Sequence, residues 1–167
     1  MHLENLLKSL KNTVKKLKTY NFGVSMWKVN IGRLMHALNA FKGSKPLFET
    51  DEMLMVKGVC RDEEVEKYGS IKDYLVKKLE KEGFEIVEDI KEIDKFVSRI
   101  NEILKENPLY PDTFGFERMK ESFEMIGCEC DYVIAKKRNI MVGVCMYFDK
   151  KMKNPKFVEV VGVLLPS

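Results

Sequence analysis

Three cysteines, Cys128, Cys130 and Cys145, fall inside two neighbouring apolar runs, CECDYVIAK and NIMVGVCMYF. Read as antiparallel strands, the runs are joined through Lys136-Lys137-Arg138-Asn139. A two-residue turn at Lys137-Arg138 or a four-residue loop gives the same pairing, with Ala135 opposite Ile140, Cys130 opposite Cys145 and Cys128 opposite Tyr147. Alternation then sets Cys128, Cys130, Tyr132, Ile134, Met141, Gly143, Cys145 and Tyr147 on one face. Val133, Ala135, Ile140, Val142, Val144, Met146 and Phe148 take the other. Three thiols on one face are a donor set for a soft metal, and Cys130 with Cys145 is a pair for a reversible disulfide. Against both, free cysteine is a small, mostly buried hydrophobe, the Cys-x-x-Cys knuckles and Cys/His sets of zinc sites are missing, and side chains at i and i+2 on a strand stand apart. Cys128, Cys130 and Cys145 remain the metal candidates, and no cofactor is expected.

A second constellation is Asp131 with Asp149-Lys150-Lys151. Two carboxylates that hold Mg²⁺, and a lysine that steadies the attacking water, are the outline of metal-dependent nuclease chemistry. The parity that groups the thiols divides this set: Asp131 shares a face with Val144, Met146 and Phe148, and Asp149 lies on the opposite one. Only an odd-length hairpin loop would unite them. Glu159, inside the apolar run KFVEVVGVLL, is either a buried carboxylate with a raised pKa, or a residue at a sheet edge or paired with a lysine. The chain has no Gly-x-x-x-x-Gly-Lys-Ser/Thr or Gly-x-Gly-x-x-Gly phosphate loop and no Gly-x-Ser-x-Gly elbow. Its two histidines, His2 and His36, both sit in the basic N-terminal segment, which disfavours a Ser/His or Cys/His machine.

Charge supplies the next candidate. The net charge of +3 hides a split, because residues 1–48 carry nine basic residues against Glu4 alone, whereas residues 49–167 carry 20 basic and 25 acidic ones. Lys8, Lys11, Lys15, Lys18, Lys28 and Arg33 are candidates to contact phosphates or a protein partner, with Trp27 or Tyr20 available for stacking on bases. The competing reading docks this basic segment on the acidic remainder, of the same chain or a second copy, since its lysines stand beside leucines that need burial. The apolar runs fall short of a membrane span, and the N-terminus lacks the continuous apolar stretch of a signal peptide. The expectation is a cytoplasmic protein with reduced cysteines. An absence of Gln, beside 24 Lys and 18 Glu, resembles hyperthermophile composition and equally an AT-rich genome.

The elements follow from periodicity. Leu3, Leu7, Leu10, Val14 and Leu17 repeat as a helical seam, with Leu6 on the same arc. Gly23 ends that helix and Ser25 caps a second, whose face is Trp27, Ile31, Leu34, Leu38 and Phe41. A strand over 22–29 is the alternative to its first turns. Gly43 and Pro46 stop it, and the pair forms a helical hairpin. EMLMVKGVC (52–60) and FEIV (84–87) read as strands. Ser70 with Asp73 opens a helix carrying Ile71, Tyr74, Leu75 and Leu79. Asp89 and Glu92 open another, from Ile90 to Leu104, and the last carries Phe116, Met119, Phe123 and Ile126. A three-stranded meander closes the chain. The expected fold class is α+β: a single domain over 1–167, with an N-terminal helical hairpin arm (1–48) and further helices on a mainly antiparallel sheet of about five strands. Both meander faces are apolar, so the thiol face should be covered by the hairpin or by a partner chain.

These features favour a non-catalytic binding or assembly module, acting with a protein partner or as a homo-oligomer. Nucleic-acid binding through the basic helices is the second reading. A nuclease-like enzyme around Asp131, Asp149 and Lys151, or a small-molecule pocket on the Tyr/Cys/Met face, is the third.

Overall fold

The computed structural model describes residues 3–8, 10, 22–41, 44–106, 113–152 and 155–165, the side chains of 22–25 and 45 excepted. It is an α+β protein built on a six-stranded, wholly antiparallel sheet. The strands are β1 (Lys45–Glu49), β2 (Met53–Cys60), β3 (Glu85–Ile86), β4 (Cys128–Lys137), β5 (Ile140–Asp149) and β6 (Lys156–Leu164), in the spatial order β1-β2-β6-β5-β4-β3. The helices are α1 (Phe22–Ala37), α2 (Glu64–Lys67), α3 (Ile71–Lys81), α4 (Ile90–Lys105) and α5 (Phe116–Met125).

Both sheet faces are covered, which is why β5 reads as a continuous apolar run. On the first face, Trp27, Ile31, Leu34 and Met35 from α1, Leu38 just beyond it, and Ile71, Tyr74, Leu75 and Leu79 from α3, pack on Val133, Ala135, Val142, Val144, Val158 and Val160. On the second, Phe96, Ile100, Ile103 and Leu104 from α4, with Phe116 from α5, pack on Met53, Met55, Ile134, Met141, Val161 and Val163. The thiol face is therefore covered by α4 and α5, not by the N-terminal helices. The alternating parity could not choose between two amphipathic covers. Helix starts obey local chemistry: Ser70 Oγ accepts from Asp73 N–H at 3.1 Å, and Asp89 Oδ1 accepts from Lys91 N–H at 2.9 Å.

Several expectations are corrected. The sheet has six strands rather than about five, because Lys45–Glu49 pairs with β2. Pro46 looked like a stop, but β1 is an edge strand, where a missing N–H costs no ladder bond. Residues 22–29 are helical, and α1 already includes Gly23 and Ser25, so neither marks a helix boundary. The burial of Trp27 and Ile31 over Gly162 outweighs those local signals. Residues 3–8 are helical, with Leu6 and Leu10 packed on the first-face core and Leu3 and Leu7 exposed. The rest of that seam, including Val14 and Leu17, lies outside the described residues. Ile126, expected on the apolar face of α5, is exposed at the helix end.

The β4–β5 hairpin turns at Arg138-Asn139, with Lys137 opposite Ile140 and Arg138 at φ 57°. The pairing is two residues out of step with the sequence-based register: Cys130 faces Tyr147, Cys145 faces Tyr132, and Cys128 faces Asp149. Lys136 and Lys137 belong to the strand because each has a partner there. Lys136 Nζ reaches Glu92 Oε1 at 3.2 Å, and Lys137 Nζ donates to Glu82 O at 3.0 Å. An even shift preserves parity, so the assignment of residues to the two faces stands.

Two glycines record where layers touch. A Cβ on Gly58 would meet the carbonyl oxygen of Ala40 at 1.9 Å, whereas one on Gly162 would meet the tip of Ile31, Cδ1, at 2.6 Å. A main-chain atom held in a loop cannot withdraw as a methyl can. Gly58→Ala is expected to lower stability by about 2–3 kcal/mol, and Gly162→Ala by about 1 kcal/mol or less, in urea denaturation. Equal losses would contradict this packing.

Candidate functional site: the open edge of β4

Strand β4 has ten residues and β3 has two. β3 pairs Glu85 with Lys136 and Ile86 with Ala135, and Val87 N–H then donates to Ile134 O at 2.8 Å before the chain departs into α4. That last bond fixes the direction of the main chain: Ile134 turns its backbone groups away from β5. By the period of two, so do Tyr132, Cys130 and Cys128. None of the described residues forms a strand along this stretch. Among the described residues, the sheet is thus one strand short beside residues 128–133.

Helix α5 forms the second-face wall of this notch, and aromatic stacking holds it there. The Phe116 ring lies on Gly143, where a Cβ would come within 2.1 Å of Cζ. It stacks between Phe96 and Tyr132, at centroid distances of 5.9 and 5.4 Å. Towards the other end of α5, Phe123 stacks on Tyr147 at 3.7 Å. A cavity of about 270 Å³ lies in the notch, bounded by Lys72, Ile86, Val87, Glu88, Ile93, Glu117, Lys120 and residues 131–134.

The polar groups of the notch are coupled. Tyr132 Oη donates to Glu117 Oε1 at 2.6 Å, and burial followed by this carboxylate raises the phenol pKa. Asp131 Oδ1 accepts from Tyr132 N–H at 2.8 Å and lies 3.6 Å from Lys120 Nζ. Asp131 therefore folds over the edge and occupies one of the outward amides, a common way of blunting an open strand.

The three thiols share the second face, as parity requires. Cys130 Sγ and Cys145 Sγ are 3.4 Å apart and buried with Tyr147, whereas Cys128 is half-buried. The hydrogen bond with Cys130, then burial, raises the Cys145 thiol, so it is held as an unreactive SH group. Among the described residues no group of three or more His, Cys, Asp or Glu side chains is placed to hold a metal ion. Asp131 and Asp149 lie on opposite faces, opposite Met146 and Cys128 respectively, and Asp149 accepts from the N–H of Lys151 in a local turn. The structure does not bring the three nuclease-like residues into one site.

Of the basic candidates, Lys8 and Arg33 are exposed, and Lys11, Lys15 and Lys18 lie outside the described residues. Lys28 is buried, with its ammonium 2.9 Å from Glu49, and Trp27 is buried in the core. Neither is available to a nucleic acid. The notch itself escapes sequence reading, because it arises from the unequal lengths of two strands far apart in the chain. Its one signal is that FEIV is too short to cover CECDYVIAK.

Glu159 sits in a row across the second face, Tyr132–Cys145–Glu159–Lys57. Burial raises its pKa above the ordinary 4.5, against the opposing pull of Lys57 at 3.9 Å and of the Tyr147 hydroxyl, which donates to Glu159 at 3.2 Å. A carboxyl with a raised folded pKa stabilises the fold most when protonated. That contribution is lost as the pH rises through 4.5 towards the folded value. Glu159→Gln removes the loss while leaving Tyr147 an acceptor. Measured by denaturation at a series of pH values, the variant's stability relative to the parent should rise from pH 4 to pH 7. A fall would show that Lys57, not burial, governs this carboxylate.

Among the described residues, no helix is long and apolar enough to cross a membrane. No solved structure matches the chain. A family model described as "Uncharacterized protein conserved in archaea (DUF2120)" matches residues 29–162, and the chain belongs to that family.

Proposed function

We propose that this protein is a non-catalytic binding module that takes an extended segment of a partner protein on the open edge of β4. The observation that supports this reading is the ten-residue strand flanked by a two-residue one, which leaves the outward backbone groups of Cys128, Cys130 and Tyr132 without a neighbouring strand among the described residues, next to a cavity at residues 131–134. An added strand satisfies those groups by main-chain hydrogen bonds, and the side chains around the notch supply the selectivity. The helices on both faces make β4 a rigid template, so little ordering cost falls on the receiving side. The exposed Met125, Ile126 and Met152 border the Cys128 end of the same edge, since Lys150 N–H donates to Gly127 O at 3.3 Å. They offer a partner apolar surface where the strand begins.

The test is selection of peptides from an unbiased displayed library against the intact protein, followed by residue-resolved amide exchange of each complex. The reading predicts that selected peptides slow exchange at Cys130 and leave the β2–β6 ladder unchanged. Peptides that bind without changing residues 128–132, or a library that yields no binder, would overturn it.

A further inference from the structure

We infer that the segment received by β4 is a basic one, with lysine or arginine at alternate positions and apolar residues between, and that it is not a second copy of β4. This rests on the docking edge proposed above. Five carboxylates lie along the edge, from Glu88, Glu117, Glu124, Glu129 and Asp131, against the lysines Lys72 and Lys120, with Lys150 at the Cys128 end. Lys120 is already shared between Asp131 at 3.6 Å and Glu124 at 4.0 Å.

Strand parity sorts the guest's side chains. Those on the first-face side come opposite Glu129 and Asp131, which point that way with Phe148 and Met146. Directly opposed cross-strand pairs lie about 5 Å apart, within reach of a charge-assisted contact. Side chains on the other side lie along Cys128, Cys130 and Tyr132, where an apolar residue packs without stranding a charge.

The present cover is easily displaced. The Lys120–Asp131 bridge is partly exposed on both sides and belongs to a class of weak ion pairs. A guest lysine or arginine replaces Lys120 as the partner of Asp131, and drawing that carboxylate outwards frees the Tyr132 amide for the guest's main chain. An acidic guest removes no such block and adds repulsion.

The same charges oppose self-pairing in the three central registers. Only registers that match outward residues with outward residues join two edges, so a symmetric pair of β4 strands is centred on a residue. Centred on Glu129, Cys130 or Asp131, each sets a carboxylate directly opposite a carboxylate.

The test uses the intact protein with three peptides of equal length: alternating Lys-Val, alternating Glu-Val, and the Lys-Val peptide with proline replacing its central valines. The readout is amide exchange at residues 128–132. The Lys-Val peptide is expected to slow exchange at Cys130 by about tenfold or more, and the other two to leave it unchanged. Slowing by the Glu-Val peptide to the same degree overturns the basic preference and leaves the docking edge standing. Slowing by the proline peptide shows charge attraction without strand pairing and overturns both. No slowing by any of the three overturns the basic preference, and it overturns the edge as well if library-selected peptides also leave Cys130 unchanged. A concentration-dependent dimer that protects residues 128–132 without peptide overturns the exclusion of a second copy.

Discussion

The seat of Phe116 on Gly143 is the contact on which the β4 edge depends. A strand residue without a Cβ lets an aromatic ring lie flat on the sheet, and the ring carries the start of α5 with it. Phe96 and Tyr132 enclose the ring on either side, and Phe123 on Tyr147 secures the helix further along. Glu117 and Lys120 are thereby placed beside the strand edge instead of over the sheet. Were α5 free to slide outwards, its own chain would cover the notch. As seated, it packs Met119 and Phe123 over Cys130 on the second face and adds no strand to the edge.

The acids and thiols near this edge have structural duties that their residue types alone did not reveal. Asp131 tempers the reactivity of an open strand towards other copies of the chain by occupying the Tyr132 amide. Cys130 and Cys145 fill the space beneath the Phe123–Tyr147 stack as small apolar groups. Glu159 is the costlier inclusion, a half-buried carboxylate held by one hydroxyl and a distant lysine.

The class of fold was legible because periodicity is a local signal. The alternation in CECDYVIAK and NIMVGVCMYF put the cysteines and the apolar residues of that hairpin on their correct faces even though the register was two residues out. The slip came from Lys136 and Lys137, which resemble turn residues until Glu92 and the Glu82 carbonyl are seen to receive them. Pro46 hid a strand because only its position at the sheet's margin makes it tolerable there. Which helices would cover the thiol face was not legible, since α1 and α4 are both amphipathic and the choice is made by the path of the whole chain. The candidate site was less legible than any of these: an edge exists by virtue of what fails to pair with it.

The most direct measurement of this account is native-state amide exchange of the protein alone, resolved at Cys130 and at its neighbours Asp131 and Val133. Asp131 and Val133 turn their backbone towards β5, and Cys130 turns away from it. The account predicts exchange at Cys130 faster by about a hundredfold or more than at Val133, as for an unpaired amide beside a ladder amide. Equal protection at Cys130, Asp131 and Val133 would mean that something already pairs with this edge, and the open-edge account would be wrong.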